Sequence, residues 1–283
     1  MPTSPTPRER EQVDAANAAD GPAVLLLHEM WSLAVTWEPW REPLARAGFA
    51  TVAVAWPGEP ESAEEARRHP EALAGIGLLD MLDHAAAVAG VLREPPFVVG
   101  TGVGGLTAQQ LAGRGLARAT VAIVPAPMRG ARPAPDSVLH SAAPILRDRD
   151  NRDRAVALTY PEFRYACANT LTPDESHLLW ETEHVAAPGR VGFELASPRR
   201  EARAPAGVDT VNRDRGPLLV VAAGKDRLVP PESAAETFRI QSRNPCPTDY
   251  VEFFDRGHSL TMDHGWPEVA RRVIEYLAHH APA

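Results

Sequence analysis

The chain is poor in several things that would have announced a function. It has two cysteines, Cys167 and Cys246, far apart and without CxxC spacing. That excludes a disulfide framework and a thiolate zinc site and fits a reducing, cytoplasmic setting. Basic charge is not in excess: 29 Lys+Arg stand against 37 Asp+Glu, a formal charge of -8. Neither nucleic-acid wrapping nor attachment to an anionic membrane is favoured by that balance. No apolar run approaches the roughly 20 residues that span a bilayer, so a soluble protein is expected. Lysine is almost missing, Lys225 being the only one among abundant arginines, alanines and prolines. This reads as a bias of genome base composition and carries no chemistry.

What remains is ample for a packed core, with 283 residues and 44% hydrophobic content. The first 20 residues are polar and hold Arg8, Glu9, Arg10, Glu11 and Asp14 where a signal peptide needs an apolar core. They are expected to form a flexible N-terminal leader. Short continuous apolar runs then alternate with helical patterns. Strands are expected at 23–27, 50–54, 97–99, 119–124, 218–223 and 249–254. Helices are expected at 37–48, 78–92, 104–116, 231–241 and 267–280. Strands that are apolar throughout, rather than at every second residue, suit a parallel sheet covered on both faces. The segment from 125 to 216 is rich in proline and charge clusters and holds helical pieces at 160–169 and 173–183. Roughly 90 residues without a clear strand are better explained as a helical insertion than as one loop.

The segment Gly100-Thr101-Gly102-Val103-Gly104-Gly105 follows a strand and opens a helix. Gly100, Gly102 and Gly105 satisfy GxGxxG, the cradle for a dinucleotide pyrophosphate. Two strands precede it, however, and the first acidic residue after Gly100 is Asp136, too far on to hold a ribose. The same residues also fit the nucleophile elbow GxSxG, with Gly102 in the place of serine. Downstream stand Gly224-Lys225-Asp226 at a strand end and Arg256-Gly257-His258 after the next strand, His258 following Asp226 by 32 residues.

In this order of chemistry, and in the strand-end segment Leu26-Leu27-His28-Glu29-Met30-Trp31, the chain resembles the α/β-hydrolase superfamily from about residue 22 to 277. The resemblance implies an α/β fold with a mostly parallel central sheet and helices on both faces. It divides the chain into a core at 21–128 and 216–283 and a helical lid at 129–215. It makes Asp226 the acid and His258 the base of a triad, and gives the Met30 and Val103 N–H groups the role of oxyanion donors.

Three departures shape the expected chemistry. Gly102 offers no hydroxyl or carboxylate for an acyl-enzyme. Glu29 replaces the usual HG glycine: turned inward beside Met30 and Trp31 it would exchange protons with substrate, and turned outward it would pair with an arginine. Thr101 stands where a histidine is common. Among substitute nucleophiles, Thr101 is expected to face away from the pocket, Cys167 to be a small core residue and Lys225 to face outward. The retained Asp226–His258 pair without a nucleophile suggests proton chemistry. The expectation is therefore a cofactor-independent, metal-free enzyme of bacterial natural-product biosynthesis that forms a carbon–carbon bond by Michael-type or aldol-type addition. His258, Asp226, Glu29 and Gly102 would be its catalytic positions. Met30, Val103, Trp31 and Thr101 would contact a bulky apolar or polycyclic small molecule. No nucleic-acid or membrane partner is expected, and a homodimer is compatible with the chain. Two other readings stand beside this one: a hydrolase of lactones, esters or thioesters using water activated by His258, and a catalytically silent binding or scaffold protein. Trp56, Trp180, Phe163, Met128 and Met262 are further candidates for the pocket wall. His177, His184, His264 and His279-His280 lack metal-ligand spacing and read as surface residues.

Overall fold

The computed structural model describes residues 4–130, 136–196 and 204–282. The elements run α1 Pro7–Ala18, β1 Ala23–Leu27, α2 Glu38–Arg46, β2 Ala50–Val54, α3 Ala63–Arg68, α4 Leu78–Ala89, β3 Phe97–Thr101, α5 Val103–Gly113 and β4 Thr120–Ile123. The chain continues with α6 Asp136–Leu146, β5 Ala155–Val156, α7 Tyr160–Ala166, α8 Pro173–Thr182, β6 Ala187–Pro188 and α9 Gly189–Ala196. It closes with β7 Leu218–Ala223, α10 Pro231–Gln241, β8 Thr248–Phe253 and α11 Trp266–His279.

Six strands form one sheet in the order β2-β1-β3-β4-β7-β8, and every neighbouring pair is parallel. The apolar runs explain it: Val24 to Leu26, Phe97 to Val99 and Leu218 to Ala223 are fully buried. A strand buried on both faces needs apolar side chains at every position. From β1 the chain steps outward to β2 and then returns to the other side of β1 as β3. That reversal of strand order opens a crevice beyond the carboxyl ends of β1 and β3, the place where ligands bind in open α/β sheets. The segments after these two strands carry Glu29 and Gly102.

Between β4 and β7 the chain adds α6 to α9 and a two-stranded antiparallel pair, β5 with β6. The pair escapes the sequence pattern because each strand is only two residues long. Side chains of α6 and α9 line a cavity of 1260 Å³ over the strand ends. Among the described residues, no helix is long and apolar enough to cross a membrane.

Residues 7–18, expected within a flexible leader, instead form α1. Its cap is a reciprocal pair: the Glu9 N–H donates to Thr6 Oγ1 and the Thr6 N–H to Glu9 Oε2. Beneath the cap, Glu9 and Gln12 turn inward. Gln12 Oε1 accepts the Ala53 N–H at 2.8 Å and Glu9 Oε1 the Ala55 N–H at 2.9 Å, so the helix satisfies the outer edge of β2. His84 Nε2 lies 3.0 Å from both Glu9 oxygens, with both residues buried. Burial opposes the Glu9 charge, but His84 and the two N–H donors outweigh it and hold the carboxyl below its ordinary range. A lowered carboxyl pKa stabilises the fold at pH above the unfolded value, and that contribution disappears as pH falls through the folded one. Glu9→Ala should cost about 3–5 kcal/mol, the usual penalty for orphaning a buried ionic partner. Urea unfolding at neutral pH reads this loss, and the gap from wild type should narrow under acid.

Candidate active site

Each elbow glycine has its own reason. A Cβ on Gly100 would run into the Gly104 carbonyl, and one on Gly104 into the carbonyls of Leu27 and His28. Helix α5 therefore crosses hard against the ends of β1 and β3. Gly102 sits between strand and helix at φ +56°, in the left-handed region. Its carbonyl accepts the Ala126 N–H at 2.8 Å, which fixes the turn. A Cβ there would lie 2.8 Å from Glu29 Cβ and 3.2 Å from Glu29 Oε2. The space next to Gly102 is thus filled by the glutamate.

Glu29 turns inward, is 5% exposed, and pairs with a histidine instead of an arginine. Its Oε2 lies 2.5 Å from His258 Nε2, while Asp226 Oδ2 lies 2.7 Å from His258 Nδ1. The other Asp226 oxygen accepts the Leu228 and Val229 N–H groups, both at 2.8 Å. An ion pair between Arg256 and Asp263 brackets the loop that holds His258. The three ionisable groups are buried together. Burial works against a charged imidazole, yet the Asp226 and Glu29 carboxylates and their hydrogen bonds outweigh it and hold His258 well above its ordinary value. An imidazolium gripped at both nitrogens is an acid, so the expected role of His258 as a free base toward a carbon acid is not what this geometry offers.

The loop bearing Glu29 is fixed from outside. His28 Nδ1 lies 2.9 Å from the Glu29 carbonyl, and its Nε2 lies 2.7 Å from Glu59 Oε2. Glu59 also accepts the Ala34 and Trp56 N–H groups at 2.7 and 2.9 Å. Trp31 has φ +60°, which is strained for a residue with a side chain. The strain is held by Trp31 Nε1 donating to the Val156 carbonyl at 2.9 Å and the Val185 N–H donating to the Trp31 carbonyl at 3.0 Å. Sequence reasoning missed Glu59. The only local hint was an acid right after the Trp-Pro-Gly turn.

Glu29, Met30, Trp31, Gly102, Val103 and His258 all line the cavity, as does Met128. Val103 opens α5, so its N–H belongs to the donors a helix leaves unsatisfied. Thr101, expected to touch substrate, is buried and does not line the cavity, because the strand's alternation turns it away. Trp56, Trp180, Phe163 and Met262 do not line it either. Trp56 stacks on His28, and Phe163 belongs to the core under α7. Burial, together with the Glu29 and Asp226 charges, pushes the Cys167 thiol well above its ordinary value, which keeps it an inert neutral thiol. Lys225 is exposed and outside the cavity. His184 is buried, not a surface residue: its Nε2 accepts the Leu158 N–H at 3.0 Å, and desolvation lowers its pKa to about 4. Among the described residues, no group of three or more potential ligands could hold a metal ion.

Residues 24–272 match the Alpha/beta hydrolase family, and the chain belongs to it. No curated protein matches the sequence. Among solved structures the chain is similar to a monoacylglycerol lipase from Paleococcus ferrophilus, with TM-score 0.62, 22% identity, and 92% and 96% of the two chains covered. It is similar to a thermophilic esterase from Thermogutta terrifontis, with TM-score 0.68, 18% identity, and 93% and 92% covered. A methylesterase from Arabidopsis is also similar, with TM-score 0.62, 12% identity, and 91% and 99% covered. These similar proteins are a lipase and esterases, which overturns the expectation of carbon–carbon bond formation in natural-product biosynthesis.

Proposed function

We propose that the protein is a hydrolase of carboxylic esters, lactones or thioesters in which water, not a serine, attacks the acyl carbon. One observation carries the reading: Glu29 fills the space beside Gly102 and meets His258 Nε2 at 2.5 Å. In place of a nucleophile the site holds a proton acceptor and a proton donor in contact. Glu29 takes a proton from a water held against it, and the resulting hydroxide attacks the carbonyl. The Met30 and Val103 N–H groups receive the developing oxyanion. His258 gives its Nε2 proton to the departing alkoxide or thiolate, and the proton on Glu29 then passes to His258, restoring both groups. One water is consumed and one acyl–oxygen or acyl–sulfur bond is broken. Asp226 keeps the Nδ1 proton and aims the ring. The lipase and esterases of like fold support hydrolysis as the reaction class.

The test is a panel of aryl esters, lactones and thioesters of graded acyl length, followed by product release across pH. Hydrolysis of members of the panel is expected, and cleavage of none above the buffer rate overturns the proposal. The pH profile carries a second expectation. A raised histidine pKa keeps the proton to higher pH, so activity should hold well above about pH 6.5, where an ordinary imidazole has lost it. On the alkaline side, decline should come only where His258 loses its proton.

A further inference from the structure

Resting on the hydrolytic reading above, we propose that His28, held in place by Glu59, is a positioning residue for the oxyanion site. His28 does not line the cavity, yet its ring sets which side of one peptide faces the substrate. Its Nδ1 lies 2.9 Å from the Glu29 carbonyl oxygen. A carbonyl only accepts, so Nδ1 carries the proton of that bond. Ser32 Oγ donates to the same oxygen at 3.3 Å. Both donors are buried and neither lines the cavity, so the carbonyl is drawn back into the protein. In a trans peptide the carbonyl and the N–H point in opposite directions. The N–H that shares this peptide is that of Met30, which lines the cavity and, among the described residues, donates to no acceptor. Pulling the carbonyl back thus puts an unspent donor forward. Turned over, the same peptide would set an oxygen against the developing oxyanion and repel it. Three contacts keep the ring at this task. Glu59 Oε2 lies 2.7 Å from Nε2, and Trp56 stacks on the ring with centroids 4.6 Å apart. Glu59 is fixed in its turn by the Ala34 and Trp56 N–H groups, which donate to it at 2.7 and 2.9 Å.

Two substitutions of His28 separate the carbonyl bond from the rest of the ring. Asn places its amide nitrogen where Nδ1 stood and Gln where Nε2 stood, so His28→Asn can keep the bond to the Glu29 carbonyl and His28→Gln cannot. His28→Gln should lower kcat for p-nitrophenyl hexanoate by about 10²-fold with KM nearly unchanged, the usual cost of one oxyanion donor. His28→Asn should recover most of that loss. The second readout is the rate of this ester relative to its thionoester, whose sulfur is a weak acceptor. That ratio should fall by about tenfold in His28→Gln, because a donor already turned away has nothing to lose to sulfur. General loosening of the fold would slow both esters alike and leave the ratio unchanged. Glu59→Gln frees the ring but leaves its donor, so it should move kcat and the ratio in the same direction by less, and it decides the matter if His28→Gln does not fold. An unchanged ratio in the folded variants, or a His28→Asn no better than His28→Gln, overturns the inference and leaves the hydrolytic reading intact. Should the wild type cleave neither ester, the hydrolytic reading fails and the Met30 amide is read directly, by ¹⁵N-methionine labelling and titration with decyl trifluoromethyl ketone. Movement of its signal in the wild type that shrinks in the variants supports the positioning role, and equal movement, or none in the wild type, overturns it.

Discussion

Glu29→Gln is expected to lower ester hydrolysis by about 10²–10⁴-fold, the range that one positioned proton acceptor supplies. The substitution keeps size and shape and can still place a polar oxygen near His258 Nε2. What it removes is the ability to take a proton from water and one of the two charges gripping the imidazole. Two readouts should move together. kcat falls while KM changes little, because the proton is transferred only in the transition state. The alkaline limb also shifts toward lower pH, because His258, held up by Asp226 and Glu29, loses one of these supports. Thermal unfolding of the variant separates this outcome from loss of fold. An unchanged kcat would remove Glu29 from the chemistry.

The second large effect is a gain. Gly102→Ser alone should yield no serine hydrolase, because its Cβ would sit 2.8 Å from Glu29 Cβ and a side chain at φ +56° is strained. The combined variant Glu29→Gly with Gly102→Ser removes the obstruction and frees His258 Nε2. The new hydroxyl then stands where the glutamate oxygen was, within reach of an imidazole still aimed by Asp226. That variant should be labelled stoichiometrically by a fluorophosphonate and show a burst of acyl-enzyme, whereas wild type and Gly102→Ser should show neither. Absence of label in a folded double variant would mean that Gly102 is not aligned with His258.

Much of this was legible in the chain because it rests on local signals. Short apolar runs gave the sheet strands, since a strand covered on both faces leaves no polar position to confuse the pattern. Gly100 and Gly104, with Asp226 and His258 at two strand ends, marked the site because a tight turn and a triad each need fixed residue types. Glu29 was visible as a departure, but its direction was not: inward and outward glutamates have the same sequence, and only the room left beside Gly102 decides. Helix α1 was missed for a related reason. Its charged surface resembled a leader, and the residue that justifies burying Glu9 is His84, 75 residues away. The Thr6–Glu9 capping pair was the available local signal. Thr101 carried two expectations, a side chain facing away from the pocket and a contact with substrate; the alternation of β3 agrees with the first and rules out the second.

The most direct test of the account is a single turnover in H₂¹⁸O with enzyme in excess over an ester that it cleaves. Direct attack by water predicts one ¹⁸O in the product acid, none in the peptide containing Glu29, and no acyl adduct on the quenched protein. Label in the Glu29 carboxylate, or an acyl group trapped on any side chain, would contradict it.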